Sequence, residues 1–264
     1  MAEPDWRARL PLPRIVAAVV LAPLALACLY AGSSIFAVMV GLGAVILAFE
    51  WVRLCVSDRP LALAFAIAAS FIVAIVAALV CEGGAAIAVI VVAAVSLFLA
   101  SGRNSWVAAG VVYLGLPCVA LVWLHTTLAA GPSIILWLFV VIWTTDIGAY
   151  TIGRLVGGPK LAPRISPNKT WSGFFGGLGV AIVCGSLLLV ELELMAGPGA
   201  IFASGGISLV GQAGDLLESW IKRRFGVKDT GKLIPGHGGL LDRVDSLITA
   251  SVVTALFVVM GRGG

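Results

Sequence analysis

The feature that most constrains this chain is a succession of apolar blocks of roughly 17 to 22 residues, each long enough to cross a hydrocarbon layer at about 1.5 Å per helical residue. They recur from one end to the other with short connections. Nine candidate spans follow, at about 15–31, 33–50, 61–80, 84–100, 106–127, 133–153, 173–194, 199–220 and 245–261. The third and fourth carry no charge. Only 11% of all residues are charged, against about 25% in a soluble domain, and mean hydropathy is +1.11. The solvent of this chain is therefore a bilayer. The expected fold class is an all-α, polytopic integral membrane protein of about nine transmembrane helices. No long polar linker interrupts it, so residues 1–264 read as a single membrane domain. Hydrophobic helices fill 1–130, and the polar chemistry gathers in 131–264.

The connections set the topology. With the N-terminus in the cytoplasm, segments 1–14, 51–60, 101–105, 154–172 and 221–244 face inward. Sixteen of the seventeen Lys and Arg then lie inside, with only Arg262 beyond them, which is the bias expected of cytoplasmic loops. The two longest polar loops, 154–172 and 221–244, thus face the cytoplasm across an inner, cytoplasmic-type membrane. The first block, after Arg7, Arg9 and Arg14, resembles a signal peptide but lacks a small-residue cleavage site and reads as a retained helix. The net charge of +4 fits orientation and contact with anionic membrane lipids. Without a basic recognition helix or aromatic platform, nucleic acid is not an expected partner. Cys28, Cys55, Cys81, Cys118 and Cys184 stand singly in apolar surroundings and read as small hydrophobes.

From Gly214 the chain reads GDLLESWIKRRFGVKDTGKLIPGHGGLLDRVDS, a stretch holding five of the 13 acids and six of the 17 Lys and Arg. Asp215, Glu218, Ser219 and Lys222 share one helix face by their i, i+3, i+4, i+7 spacing. Asp242 and Asp245 repeat the i, i+3 spacing as the ninth span begins. Carboxylates clustered beside hydrocarbon repel unless a cation neutralises them. Mg2+, with room for a second cation, is expected, because hard ions take oxygen ligands and bridge to phosphates. Lys222, Arg223, Arg224, Lys228, Lys232 and Arg243 are the groups to hold a polyphosphate. Acids and bases so combined are the parts of phosphoryl or nucleotidyl transfer. The glycines of PGHGG, 235–239, allow close approach to a ligand. His237 either touches a phosphate, serves as an acid, or makes a turn hydrogen bond.

A second constellation runs from Asp146 to Gly177 as DIGAYTIGRLVGGPKLAPRISPNKTWSGFFGG. Asp146 lies within an apolar run, where an unpaired carboxylate costs several kcal/mol, so a functional or paired role is the default. Ser166, Lys169 and Thr170 offer donors to phosphate from a loop. Elsewhere plain structural roles are expected: Glu50 with Arg53 as an interfacial pair, His125 as a structural histidine, Glu191 and Glu193 at the outer interface. Trp51, Trp106, Trp123 and Trp137 read as packing or belt residues.

Taken together, S-x-x-K-R at Ser219, Lys222 and Arg223, K-D at Lys228 and Asp229, and P-G-H-G-G-x-x-D-R-x-D-S from Pro235 to Ser246 resemble the signature of phosphatidate cytidylyltransferases, also called CDP-diglyceride synthetases. GDLLES and ISPNKTW are also similar to family elements, so detailed resemblance spans roughly 146–177 and 211–247. The resemblance implies transfer of a cytidylyl group from CTP to phosphatidate, dependence on Mg2+, and a homodimer whose acids face the cytoplasm. Carried over by position, Asp215 and Asp242 resemble metal ligands, with Asp146, Glu218 and Asp245 as supporting acids. Ser166, Lys169, Thr170, Ser219, Lys222, Arg223, Lys228, His237 and Arg243 resemble phosphate or nucleotide contacts, with Gly238 and Gly239 letting the ligand approach. Of these, Asp215, Asp242, Lys222, Arg243 and His237 are the expected catalytic set. Where many members carry Glu after K-T-W, this chain has Ser172. A CTP-dependent lipid kinase, a cytidylyltransferase for another lipid and a cation-coupled secondary transporter are the alternatives.

Overall fold

A computed structural model describes residues 12–56, 61–81, 83–231 and 238–262, with backbone alone at 12–19 and 262. Among these residues the chain forms helices α1 (Leu12–Tyr30), α2 (Ser33–Cys55), α3 (Leu61–Val80), α4 (Gly83–Ala100), α5 (Ser105–Thr127), α6 (Gly131–Val156), α7 (Trp171–Glu191), α8 (Pro198–Arg224) and α9 (Leu241–Arg262). Among the described residues, eight of them, α2 to α9, are long and apolar enough to cross a membrane. The all-α polytopic expectation therefore stands, with one addition. The loop expected at 154–172 contains an antiparallel β-hairpin, β1 (Lys160–Ala162) with β2 (Ser166–Thr170).

Bilayer-spanning helices bury one stripe against their neighbours and leave another, equally apolar, to lipid. In α3 the buried residues are Ala64, Ile67, Ala68, Phe71, Ala74, Ile75 and Ala78, a 3.6-residue stripe. Phe65, Val73 and Val80 of the same helix are exposed. Helices α2 to α5 pack on one another in one group, and α6 to α9 in a second; α5 joins them through α6 and α9. Lipid tails supply no hydrophobic drive between helices, so close approach through small residues takes over. The buried face of α7 is Gly173, Gly177, Ala181, Gly185 and Leu189, spaced by four. A Cβ on Gly177 would fall 2.6 Å from the Thr145 carbonyl oxygen of α6, and one on Gly173 would fall 2.7 Å from that of Ala149. That intimacy fixes the α6–α7 hairpin and the β-hairpin at its tip.

Contacts gather the polar connections at one end of the bundle. Trp51 at the end of α2 donates its indole N–H to the Trp106 carbonyl at the start of α5, 2.8 Å. The Trp106 ring meets Trp220 and Phe225 at the end of α8. Arg223 donates to the Ile165 carbonyl in the β-hairpin, 3.2 Å. At the opposite end His125 of α5 lies 2.9 Å from the Leu29 carbonyl and 3.2 Å from the Ser33 hydroxyl, and stacks on Phe36. It is buried and tied to the α1–α2 turn, the structural role expected of it.

Candidate active site

Polar residues beside hydrocarbon must find partners, and the last turns of α8 show how they do so. The helix runs on to Arg224, beyond the apolar block expected to end near 220, because its charged turns reach past the hydrocarbon. Glu218 and Lys222 are thereby buried together. The Lys222 Nζ lies 2.7 Å from Glu218 Oε2 and 2.7 Å from Asp242 Oδ1 at the start of α9. A charge is kept in such a place only by opposite charges. The second oxygen of Asp242, Oδ2, accepts from the N–H groups of Thr230 (2.9 Å) and Gly239 (2.8 Å) and from the Thr230 hydroxyl (3.0 Å). Gly238 stands at φ +81, and a Cβ there would fall 2.6 Å from Asp242 Oδ2. The loop glycines thus let backbone close on a carboxylate, and both oxygens of Asp242 are engaged by the protein.

Asp215, two turns earlier on α8, is served from another direction. Lys169 of β2 reaches it, Nζ to Oδ2 2.5 Å, and Ser219 donates to its Oδ1 at 3.4 Å. What aims Lys169 is the next residue: the Thr170 hydroxyl accepts the Gly173 N–H, 3.1 Å, and caps α7, satisfying a free end of that helix. Ser172, in the position where a carboxylate was expected from the resemblance, lies 3.0 Å from the Thr170 hydroxyl and donates to the Gly157 carbonyl. It serves the hairpin's base.

Two ammonium groups thus hold three carboxylates, and Glu218 links the two sets, lying within electrostatic reach of both Asp215 and Asp242. Asp245 feels the charges of Asp215, Glu218 and Asp146. Asp146 of α6 feels those of Asp215, Lys169 and Arg243. The five acids singled out in the sequence therefore form one electrostatic neighbourhood at the polar end of the bundle. Arg223 donates to the Ile165 and Val227 carbonyls, so it pins hairpin to helix. Ser166 opens β2 opposite Ala162, and Lys228 and Arg243 are exposed. His237 lies outside the described residues.

Two partners escape sequence reasoning. Glu50, expected to pair with Arg53 at an interface, is instead 4% exposed and accepts the backbone N–H groups of Leu240 and Leu241, 2.8 Å each. The physical reason is that the first N–H groups of a helix lack internal partners, and those of α9 take theirs from α2. The signal was available: a carboxylate closing an apolar block invites the argument applied to Asp146. Tyr113 of α5 has a buried hydroxyl without a hydrogen-bond partner among the described residues and faces the charges of Glu218, Asp245 and Asp215.

Among the described residues no three His, Cys, Asp or Glu side chains converge into a ready metal cage. The donor chemistry nevertheless fits a hard divalent ion. It consists of carboxylate oxygens, and Glu218 Oε1 is buried without a hydrogen-bond partner among the described residues, an arrangement costly to leave unfilled.

Membrane helices carrying clustered acids, two buried or half-buried lysines and a glycine-lined loop describe an enzyme working at the edge of a bilayer, and comparison of the sequence fixes its class. Residues 12–260 match the model of the cytidylyltransferase family, and the chain belongs to that family; it is a nucleotidyltransferase. Its relatives include the phosphatidate cytidylyltransferases of Brucella suis biovar 1 (strain 1330) and Brucella abortus (strain 2308). Each is 39% identical over 252 residues, 92% of this chain and 92% of the relative. The phosphatidate cytidylyltransferase of Staphylococcus saprophyticus is 43% identical over 139 residues, 52% of each chain.

Proposed function

We propose that this protein transfers the cytidylyl group of CTP to phosphatidate, giving CDP-diacylglycerol and pyrophosphate. The observation that carries the reading is the pair of ammonium groups, Lys169 and Lys222, set among five acids where α8, α9 and the β-hairpin meet, in a chain whose relatives bear that activity's name. A phosphatidate phosphate oxygen attacks the α-phosphorus of CTP; the new P–O bond forms as the bond to the β-phosphate oxygen breaks, and pyrophosphate carries away the electron pair. The nucleophile is already ionised at neutral pH, so no protein nucleophile is needed. Lys169, Lys222 and Arg243 neutralise charge on the triphosphate and the leaving group, and the backbone around Gly238 and Gly239 admits it closely. Asp215 and Asp242, with Asp146, Glu218 and Asp245 around them, would hold Mg2+, which when bound supplies charge neutralisation at the phosphates. The acyl chains stay in lipid while the head group meets water-borne CTP.

In this reading the site faces the cytoplasm, as the distribution of Lys and Arg supports, in an inner membrane, and the protein is a homodimer, on resemblance alone. Purified protein in detergent, given labelled CTP and phosphatidate, is expected to form labelled CDP-diacylglycerol with Mg2+ and none with excess chelator. Release of CDP without a CDP-lipid would replace the reading with a kinase. Cross-linking in native membranes that yields monomer alone would remove the homodimer.

A further inference from the structure

We infer that Glu50, a residue of the second helix remote in sequence from every acid and base assigned above, is a positioning residue for the nucleotide-handling loop. Its carboxylate is 4% exposed. The oxygen Oε1 accepts the Leu240 N–H and Oε2 the Leu241 N–H, both at 2.8 Å. The Thr230 hydroxyl lies 3.4 Å from Oε2 while donating to Asp242 Oδ2 at 3.0 Å, so Glu50 and Asp242 sit on either side of one threonine. Backbone closes round the same carboxylate: a Cβ on Gly239 would fall 2.6 Å from each Glu50 oxygen, and one on Gly231 3.0 Å from Oε1. Glu50 thus grips the chain at Thr230–Gly231 and again at Gly239–Leu241, the described flanks of the glycine-rich loop.

A helix usually caps its own first turn with the residue before it. Here that residue is Leu240, which has no acceptor in its side chain, and α2 supplies the acceptor across the bundle. The negative charge also favours the positive end of the α9 dipole. With this turn fixed, Asp242 presents Oδ1 to Lys222 and Oδ2 to the loop; with it released, the hydrogen bonds that aim Asp242 and Lys222 are lost together. Glu50 acts through these residues and touches no substrate.

The kinetic arm of the test rests on the cytidylyl-transfer reading. Glu50→Gln keeps the shape but turns an N–H2 group toward a backbone N–H. It is expected to lower kcat/KM for CTP by roughly 10- to 100-fold, the size of a lost charged hydrogen bond, with KM for phosphatidate little changed. Glu50→Asp, which keeps the charge on a shorter arm, is expected to fall between Gln and wild type. Arg53→Ala is expected to match wild type. Equal losses for CTP and phosphatidate, or a Glu50→Gln variant with wild-type kinetics, would overturn the proposal. If wild-type protein formed no CDP-lipid at all, the activity reading would fail separately. Hydrogen exchange in detergent would then decide on Glu50: faster exchange over 238–242 in Glu50→Gln supports the anchor, and unchanged exchange overturns it.

Discussion

Lys222 keeps its ammonium among membrane helices because Glu218 and Asp242 both meet it at 2.7 Å. Replacing it by methionine strands two carboxylates. Removing one partner of a buried pair costs about 3–5 kcal/mol, so Lys222→Met is expected to lose both CDP-lipid formation and several degrees of melting temperature in detergent. Asp215 is different, since its side chain is 25% exposed and its Lys169 partner 27% exposed. A partly solvated pair contributes about 0–1 kcal/mol to stability. Asp215→Asn is therefore expected to abolish transfer while melting close to wild type; activity retained in that variant would remove Asp215 from the catalytic set. Gly239 has no room for a methyl group, whose carbon would lie 2.6 Å from both Glu50 oxygens. Overpacking of that kind costs about 1–3 kcal/mol, and Gly239→Ala is expected to show it as a lower melting temperature together with weakened CTP use.

Among the elements, the α6–α7 hairpin does most to place chemistry. Its helices touch backbone to backbone through small residues, and the β-hairpin at the tip carries Lys169 to Asp215. Gly177→Val would force the two helices apart at the Thr145 carbonyl. It is expected to reduce the amount of folded protein recovered from membranes, whereas Gly179→Val, at a position with open space, is expected to leave it unchanged. The link from strand to helix is Thr170. Its loss as a cap costs about 1 kcal/mol, so Thr170→Ala is expected to melt a few degrees lower. It should also raise KM for CTP, because the neighbouring Lys169 loses its fixed approach. An unchanged KM would show that the cap serves stability alone. The hairpin itself was not legible from composition: 154–172 reads as a Pro- and Gly-punctuated loop, and three- and five-residue strands leave too little alternation to detect.

Sidedness belongs to the molecule as a whole, since every loop's side follows from the order of spans. The segments after α4, α6 and α8 carry exposed Arg103, Arg164 and Lys228, and the turn after α7 carries exposed Glu193. With the five native cysteines replaced, an impermeant maleimide added to intact spheroplasts is expected to label Glu193→Cys but not Arg103→Cys, Arg164→Cys or Lys228→Cys. The opposite pattern reverses the orientation, and labelling of Arg103→Cys but not Lys228→Cys breaks the proposed order of spans.

Hydropathy and charge along the chain were enough to determine that this is a membrane protein and where its spans run. They also marked the 214–246 stretch as the densest gathering of charged side chains, because partition into lipid is a property of each segment by itself. The ends of α8 and α9 lie beyond their apolar blocks, at Arg224 and Leu241, where only the helical spacing of Asp215 to Lys222 and of Asp242 to Asp245 signals them. Pairing belonged to the tertiary structure alone. Nothing local to Glu50 says that it caps a helix 190 residues later, and nothing local to Lys169 says that it meets Asp215. Those bonds follow from which helix faces which neighbour, and that is settled by glycine contacts and buried stripes acting between segments rather than within them.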